Sequence, residues 1–381
     1  MKNYKNPHRF SVLPVCILTV LALLFTTCFN PLGSKNNDEW DDGETRIVIT
    51  LPGGTSNSRN LMGDSDMGYE LVFEGPGGRT ITKLALGGET VAVEIEPGLW
   101  SVRVRLFSPS TSTVDEARGE ALSFTVQAGV PNRPSIQMRF VRISPMISAY
   151  LDTTTGTLAN PASLHMDLPL TSAAWEGLLN EIHAAGKFVD LNLSACTDGG
   201  TGGILNSGAF DPDAANTAPS IIAAKGLIVE IALPDAATSI ADGTWYVTTV
   251  PTFRYFDALR SFSGAGLASI GEAAFLGCTS LALTELPAGL TSIGMWAFTH
   301  CTSLTQITLP VGLTSIGLGA FLGCTNLAIV NSLTTTPPSL GTEVFSGTHP
   351  SLQIRVPAGS VTAYQAAQGW SEYASRIVAM D

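Results

Sequence analysis

Three cysteines, Cys278, Cys301 and Cys324, stand 23 residues apart, and each ends the same phrase: "SIGEAAFLGC", "SIGMWAFTHC" and "SIGLGAFLGC". Thiols at one fixed interval could pair as disulfides or could each fill a small buried slot. Slots repeated on parallel strands lie about 4.7–4.9 Å apart, which a disulfide tolerates, but parallel Cβ vectors suit one poorly. The expectation is free, buried thiols. Cys196 ends "LNLSAC" and reads as another packed thiol rather than a nucleophile. His8, His165, His183, His300 and His349 share no ligand spacing, and His300 takes a slot that is glycine in both sister copies. Asp64, Asp66 and Gly68 open a calcium-loop pattern, but no Glu follows at the twelfth position, so a solvated loop is expected. "DGGTGG" from Asp198 to Gly203 lacks the following helix that a phosphate cradle needs, and "DPD" at Asp211 to Asp213 reads as a turn. H-E-x-x-H, G-x-S-x-G and G-x-x-x-x-G-K-[ST] are all absent. No catalytic residue, metal or cofactor is therefore expected, and no enzyme.

The elements that hold these residues follow from composition and pattern. The 381 residues suggest more than one folded unit, with 45% hydrophobic residues but only 14% charged. The net charge is −12, and Ser261 to Ile354 contains no Lys or Arg. Nucleic acid, which needs its phosphates neutralised, is excluded as a partner, and an anionic bilayer surface is disfavoured. Lys2, Lys5 and Arg9 precede an apolar run from Val12 to Phe25, as in a signal peptide. "LFTTC" then ends at Cys28 and resembles a bacterial lipobox, which implies cleavage and lipidation of Cys28. Residues 1–28 are read as the signal peptide and 29–44, polar and acidic, as a flexible tether.

Residues 45–142 alternate with period two through "RIVITL", "YELVFEG", "TITKLAL", "TVAVEIEPG", "LWSVRVRLF", "LSFTVQAG" and "SIQMRFV", with Gly- and Pro-rich turns between. That spacing predicts an antiparallel β-sandwich with Arg103 and Arg105 outward. "GGETVAVEIEPGLWSVRVRLF" resembles the small immunoglobulin-like or prealbumin-like modules of exported bacterial proteins. Residues 143–165 read as a linker, rich in Ser, Thr and Pro, with room for one helical turn. Trp175, Leu178, Leu179 and Ile182 then fall on one helix face, capped by Thr171 or Ser172 and ended by Gly186. Val189, Leu191 and Leu193 share a strand face.

From residue 267 to 335 the period of 23 governs. Ile270, Ile293 and Ile316 match, as do Phe275, Phe298 and Phe321, then the three cysteines, then Leu281, Leu304 and Leu327. A turn of this length cannot bury its own apolar face, so each copy must stack on its neighbours. In "LTQITLP", Leu304, Ile307 and Leu309 point inward and Pro310 ends the strand. The phrase L-T-S-I-G-x-x-A-F-x-x-C-T-S-L resembles the BspA-like leucine-rich repeats of bacterial surface proteins. It departs from the general leucine-rich pattern, since the eighth residue from Leu304 on is Gly312, so an asparagine ladder is not expected. The resemblance implies a solenoid over 166–381, with an N-cap at 166–200, an irregular coil at 226–266 and a degenerate coil and C-cap at 336–381. In the irregular coil Trp245 fills the Phe slot, and at the far end Ser360 caps a helix carrying Val361 and Tyr364. The fold class is thus mostly β with short helices: an antiparallel β-sandwich followed by a leucine-rich-repeat solenoid with helical caps.

Two surfaces remain for recognition. On the sheet the outward slots are Asp190 and Asn192, Glu230 and Ala232, Leu283 and Glu285, Gln306 and Thr308, and Ile329 and Asn331. The insertion around Tyr246, Phe253, Arg254, Tyr255 and Phe256 either binds a ligand or covers a gap in its coil. BspA-like relatives imply an exported, lipid-anchored envelope protein, in the outer membrane or at the cell surface, that binds a host or cell-surface protein. The membrane is met through the lipid alone. Two alternatives stand beside it: a carbohydrate or envelope-polymer binder, and a purely structural envelope protein.

Overall fold

The computed structural model describes residues 46–51, 68–86, 89–107, 115–128, 131–134, 136–198, 204–205, 218–240, 242, 253 and 255–380. The leader, Cys28, the tether, Trp245, Tyr246, Arg254, the start of the calcium-like loop and the "DPD" turn lie outside them.

The N-terminal part contains β1 (Arg46–Thr50), β2 (Gly68–Glu74), β3 (Thr80–Leu86), β4 (Thr90–Glu94) and β5 (Gly98–Phe107). It continues through β6 (Asp115–Val126), β7 (Pro131–Asn132) and β8 (Gln137–Phe140). All seven alternating segments form strands; only the short β7 has no counterpart in the pattern. Period two sets their faces: Leu71 and Phe73 on β2, and Val102 and Val104 on β5, are buried, while Arg103 is exposed. β4, β1 and β7 form a separate three-stranded sheet, whose Ile47, Ile49 and Val93 join the same hydrophobic core.

Next come α1 (Met146–Asp152), β9 (Ala162–Met166), β10 (Pro169–Leu170), α2 (Ser172–Ala185), β11 (Val189–Asn192) and β12 (Thr197–Asp198). They are followed by β13 (Ile204–Leu205), α3 (Pro219–Lys225), β14 (Ile228–Ala232), β15 (Ser239–Ile240) and β16 (Ser261–Ser263). Thr171 caps α2, accepting from the Ala174 N–H at 3.1 Å, and Gly186 ends it in the left-handed region at φ 61. The face of α2 is set as its spacing requires: Trp175, Leu178, Leu179 and Ile182 are buried.

Residues 143–165 are not a gap between two bodies. They hold α1 and most of β9, and β9 pairs parallel with both β8 and β11. One nine-stranded sheet results, in the order β16-β14-β11-β9-β8-β6-β5-β2-β3. It is antiparallel from β3 to β8 and parallel from β8 to β16. The physical reason is the edge: without β9, β8 would present unpaired backbone groups along its free side.

The repeats supply β17 (Ser269–Ile270), β18 (Ser292–Ile293), β19 (Gln306–Leu309), β20 (Ser315–Ile316), β21 (Ile329–Ser332), β22 (Ser339–Leu340) and β23 (Gln353–Val356). α4 (Val361–Ala366) and β24 (Ile377–Ala379) close the chain. Two-residue strands, Ser-Ile in β15, β17, β18 and β20 and Ser-Leu in β22, pair parallel and in register in that order. The glycines after Ile293 and Ile316 are needed for close approach. A Cβ on Gly294 would sit 2.5 Å from the Gly271 carbonyl carbon, and one on Gly317 2.5 Å from the Met295 nitrogen. The Thr before Ser292 and before Ser315 also links copies: Thr291 Oγ1 donates to Ala268 O and Thr314 Oγ1 to Thr291 O, both at 2.9 Å.

Inside, aromatic rings form one file. Phe253, Phe275, Phe298, Phe321 and Phe345 stack at 4.5, 5.4, 5.3 and 5.7 Å, with planes within 11°. Phe256 meets Phe253 edge-on and stacks on Trp175 of α2 at 6.4 Å. At the far end Phe345 meets Trp370, which packs on Tyr364 of α4. At about 1.5–3 kcal/mol for each large buried side chain, this file adds substantially to the cohesion between copies. Beside it the thiols find a specific use. Cys278, Cys301 and Cys324 are free and buried, and each S–H donates to the carbonyl of a Phe one copy earlier: Phe253, Phe275 and Phe298, at 3.4, 3.2 and 3.1 Å. Burial pushes the Cys324 thiol up to about 12 and raises Cys278 and Cys301 as well, so none is a reactive thiolate. Cys196 is likewise buried, free and pushed up to about 11.

Ser360 departs from expectation. It sits at the N-cap of α4, but its hydroxyl donates to Thr335 O at 2.8 Å and makes no cap bond. It ties α4 to the last coil instead, as does the Trp370 indole, which donates to Pro338 O at 2.7 Å.

Candidate functional site

The sheet registers assemble the outward residues into files. Asp190 faces Glu230, which faces Ser261; Asn192 faces Ala232, which faces Ser263. Further along, Glu285 bridges to Thr308, Thr308 faces Asn331, and Asn331 faces Arg355. Gln306 faces Ile329, which faces Gln353. Glu230 and Glu285 are exposed, and Asp190, Asn192, Gln306, Thr308 and Asn331 are half-buried. Desolvation raises the Asp190 carboxyl. Asn192 is committed locally, since its Oδ1 accepts from the Ser194 N–H at 2.9 Å and from the Ser194 hydroxyl at 2.7 Å.

One slot is wrong in the expected register. Leu283 is not outward; it is 8% exposed, while Thr284, at the inward slot, is exposed. Burying an unpaired hydroxyl is costly, so the chain turns to bury the Leu beside it. Residues 281–286 accordingly form no regular strand, although Ala282 N still donates to Arg260 O and Thr308 N to Thr284 O, at 2.8 and 2.9 Å.

The insertion is also corrected. Phe253 and Phe256 are 0% and 1% exposed, so they cannot present rings to a ligand. They belong to the aromatic file and cover the gap in the coil. Tyr255 is half-buried in the left-handed region at φ 69. The slot in front of Phe275 is therefore taken by Phe253, which stacks directly on it.

His300 is exposed, at φ 60, in the position where the neighbouring copies have Gly277 and Gly323 at φ 75 and 71. Its ring lies over Gly323, where a Cβ would come 2.7 Å from His300 Cε1. Among the described residues no group of three or more His, Cys, Asp and Glu could hold a metal ion, and no helix is long and apolar enough to cross a membrane.

Three further outward residues, Arg118, Arg139 and His165, join Arg105 on this face. Arg105 faces Arg118, Arg118 faces Arg139, and Arg139 faces His165, which faces Asn192. The polar face thus runs without a break from β5 across β6, β8 and β9 onto β11. Arg105 Nε donates to Glu70 at 3.0 Å and its guanidinium lies 4.9 Å from the Phe107 ring; Arg103 pairs with Glu74. His165 shares a 2.8 Å hydrogen bond with Gln137, and burial, then Arg139, lowers its pKa. The outward alternation of Arg103 and Arg105 was a visible signal, but nothing in the period reveals that β8 joins β9.

Residues 250–367 match the BspA type leucine rich repeat region in six copies. Among solved structures the chain is similar to the leucine rich repeat protein TpLRR of T. pallidum, at 26% identity and a TM-score of 0.30, over 40% of this chain and 68% of that one. It is also similar to a leucine-rich repeat protein from Bacteroides ovatus ATCC 8483, at 23% identity and a TM-score of 0.26. That match covers 40% of this chain and 43% of the other. No curated protein matches the chain.

Proposed function

We propose that this chain, whose residues 250–367 are a BspA type leucine rich repeat region, is an exported, lipid-anchored envelope protein that binds another protein. In this reading the repeats form a capped solenoid, Cys28 carries the lipid, and the antiparallel strands hold the repeats away from the membrane. The role is recognition or adhesion at the cell surface, with no catalysis. The observation that carries it is the outward polar file Glu285–Thr308–Asn331–Arg355 on repeats whose interior is held by stacked Phe rings, because a rigid scaffold lets exposed side chains bind without being ordered first. The burial of Phe253 and Phe256 takes two rings out of the aromatic segment that a sugar-binding role would use. Cross-linking on intact cells followed by mass spectrometry tests the reading. A recurrent cross-linked protein is expected, with palmitate labelling that disappears in Cys28→Ala. Absence of any specific cross-linked protein would overturn the binding role.

A further inference from the structure

Several outward groups on the N-terminal strands and β11 are already taken. Arg105 pairs with Glu70, Arg103 with Glu74, Gln137 with His165, and Asn192 with Ser194. On the repeats the file Glu285–Thr308–Asn331–Arg355 differs. Each member faces the next across one strand spacing, and the neighbours Ile307, Leu309, Val330, Ile354 and Val356 are buried, so the file points outward. Among the described residues the side chains of Glu285, Thr308 and Asn331 meet no hydrogen-bond or ion-pair partner, and Arg355 meets a neutral one, the Gln353 amide oxygen at 3.1 Å. The remaining outward residues of β19, β21 and β23 are Gln306, Ile329 and Gln353, all uncharged. No Lys or Arg occurs from Ser261 to Ile354, so these coils hold no cation for Glu285. Arg355 stands three strand spacings from it, about 14–15 Å, too far to pair. The file is negative at one end, positive at the other and uncommitted between.

We propose that this file docks an extended segment of the partner protein that crosses the strands with a Lys or Arg over Glu285 and an Asp or Glu over Arg355. This names the partner chemistry for the interaction role above and rests on that role. Spacing sets the segment's pattern. An extended chain advances about 3.3 Å per residue and turns every second side chain to one face, so residues i and i+4 face the sheet about 13 Å apart. That is close to the length of the file. Residue i+2 then falls between Thr308 and Asn331, where an Asn, Gln, Ser or Thr can hydrogen-bond to both. The segment therefore reads charged-x-polar-x-oppositely charged, in either chain direction. Guanidinium groups match carboxylates two bonds at a time, which suits Arg355 to the acidic end. Isolated exposed ion pairs contribute little to affinity, so the signature of this site is selectivity for the charge pattern.

The test is an NMR titration of the exported chain with three end-blocked peptides, Lys-Thr-Asn-Thr-Glu, Lys-Glu-Asn-Thr-Thr and Lys-Thr-Asn-Thr-Lys. The first is expected to bind about fivefold more tightly than either of the others. Its shifts should fall on β19, β21 and β23, and its binding should weaken as salt rises. Arg355→Glu makes both ends of the file negative and is expected to reverse the order in favour of Lys-Thr-Asn-Thr-Lys, a gain that poor folding cannot produce. No binding of the first peptide, equal binding of all three, or an unchanged order in Arg355→Glu would each overturn the proposal. So would dimerisation of the chain that is lost in Arg355→Glu, which would give the file to a second copy. A partner that still cross-links on cells to the double variant Glu285→Ala, Arg355→Ala would sink this site while leaving the interaction role standing.

Discussion

The repeats and the N-terminal strands are both β structure, but they are specified differently. Between residues 267 and 335 each copy states its neighbour's contacts, since Ile faces Ile, Phe stacks on Phe and each thiol reaches a Phe carbonyl one copy back. Register follows from repetition. In residues 46–140 each strand states only which of its own faces is buried, and the partner is chosen by topology. The difference teaches that repetition writes long-range pairing into local sequence, whereas alternation writes only local orientation.

The largest expected effect tests the repeat side of that contrast. Phe298 stacks on both Phe275 and Phe321, so Phe298→Ala should cost about 3–5 kcal/mol. Urea unfolding should show this loss in a single transition shared with the N-terminal strands, because the buried residues of both regions form one core. Two separable transitions, with only one moved, would reduce the comparison to two independent bodies.

A middle-sized effect comes from Gly323. It is left-handed at φ 71, and an added Cβ would meet the His300 ring at 2.7 Å. Gly323→Ala should therefore destabilise by about 1–3 kcal/mol in thermal unfolding. The double variant with His300→Gly should recover the steric part and leave the backbone part. No recovery would show that the ring is not what fills that space.

The smallest effect sharpens the N-terminal side. His165 has a folded pKa below its unfolded value of about 6.5. The unfolded chain therefore binds the proton first, and this contribution to stability is present above that value and lost as pH falls through it toward the folded pKa. The drop in urea midpoint between pH 7.5 and 5.5 should be smaller in His165→Gln, and smaller also in Arg139→Gln, which removes the second cause of the shift. An equal drop in all three proteins would detach His165 from Arg139.

Much of the architecture could be read from the residues, for reasons that also mark where reading stops. The helix at Ser172–Ala185, the seven alternating strands and the free thiols follow from period, caps and slot size. The position of Phe253 was hidden because the insertion breaks the count of 23, and only the stacking on Phe275 restores it. Leu283 was misplaced because strict alternation ignores the cost of burying Thr284. The arginine file was hidden for a deeper reason. Arg105, Arg118 and Arg139 become neighbours through two strand pairings, and their continuation to His165 needs β8 beside β9, a contact across the segment that reads as a linker.

That β8–β9 pairing is the central claim, and a spin-label distance measures it directly. Glu230 faces Asp190, which faces Ser163, and the register of Arg139 with His165 puts Gln137 opposite Ser163. Labels at Gln137 and Glu230, both exposed, are thus separated by three strand spacings, or about 14–15 Å between Cα atoms. One narrow peak near that distance, after allowance for the label arms, is the predicted result. A broad distribution reaching well beyond it would mean that the two halves move independently and that no common sheet joins them.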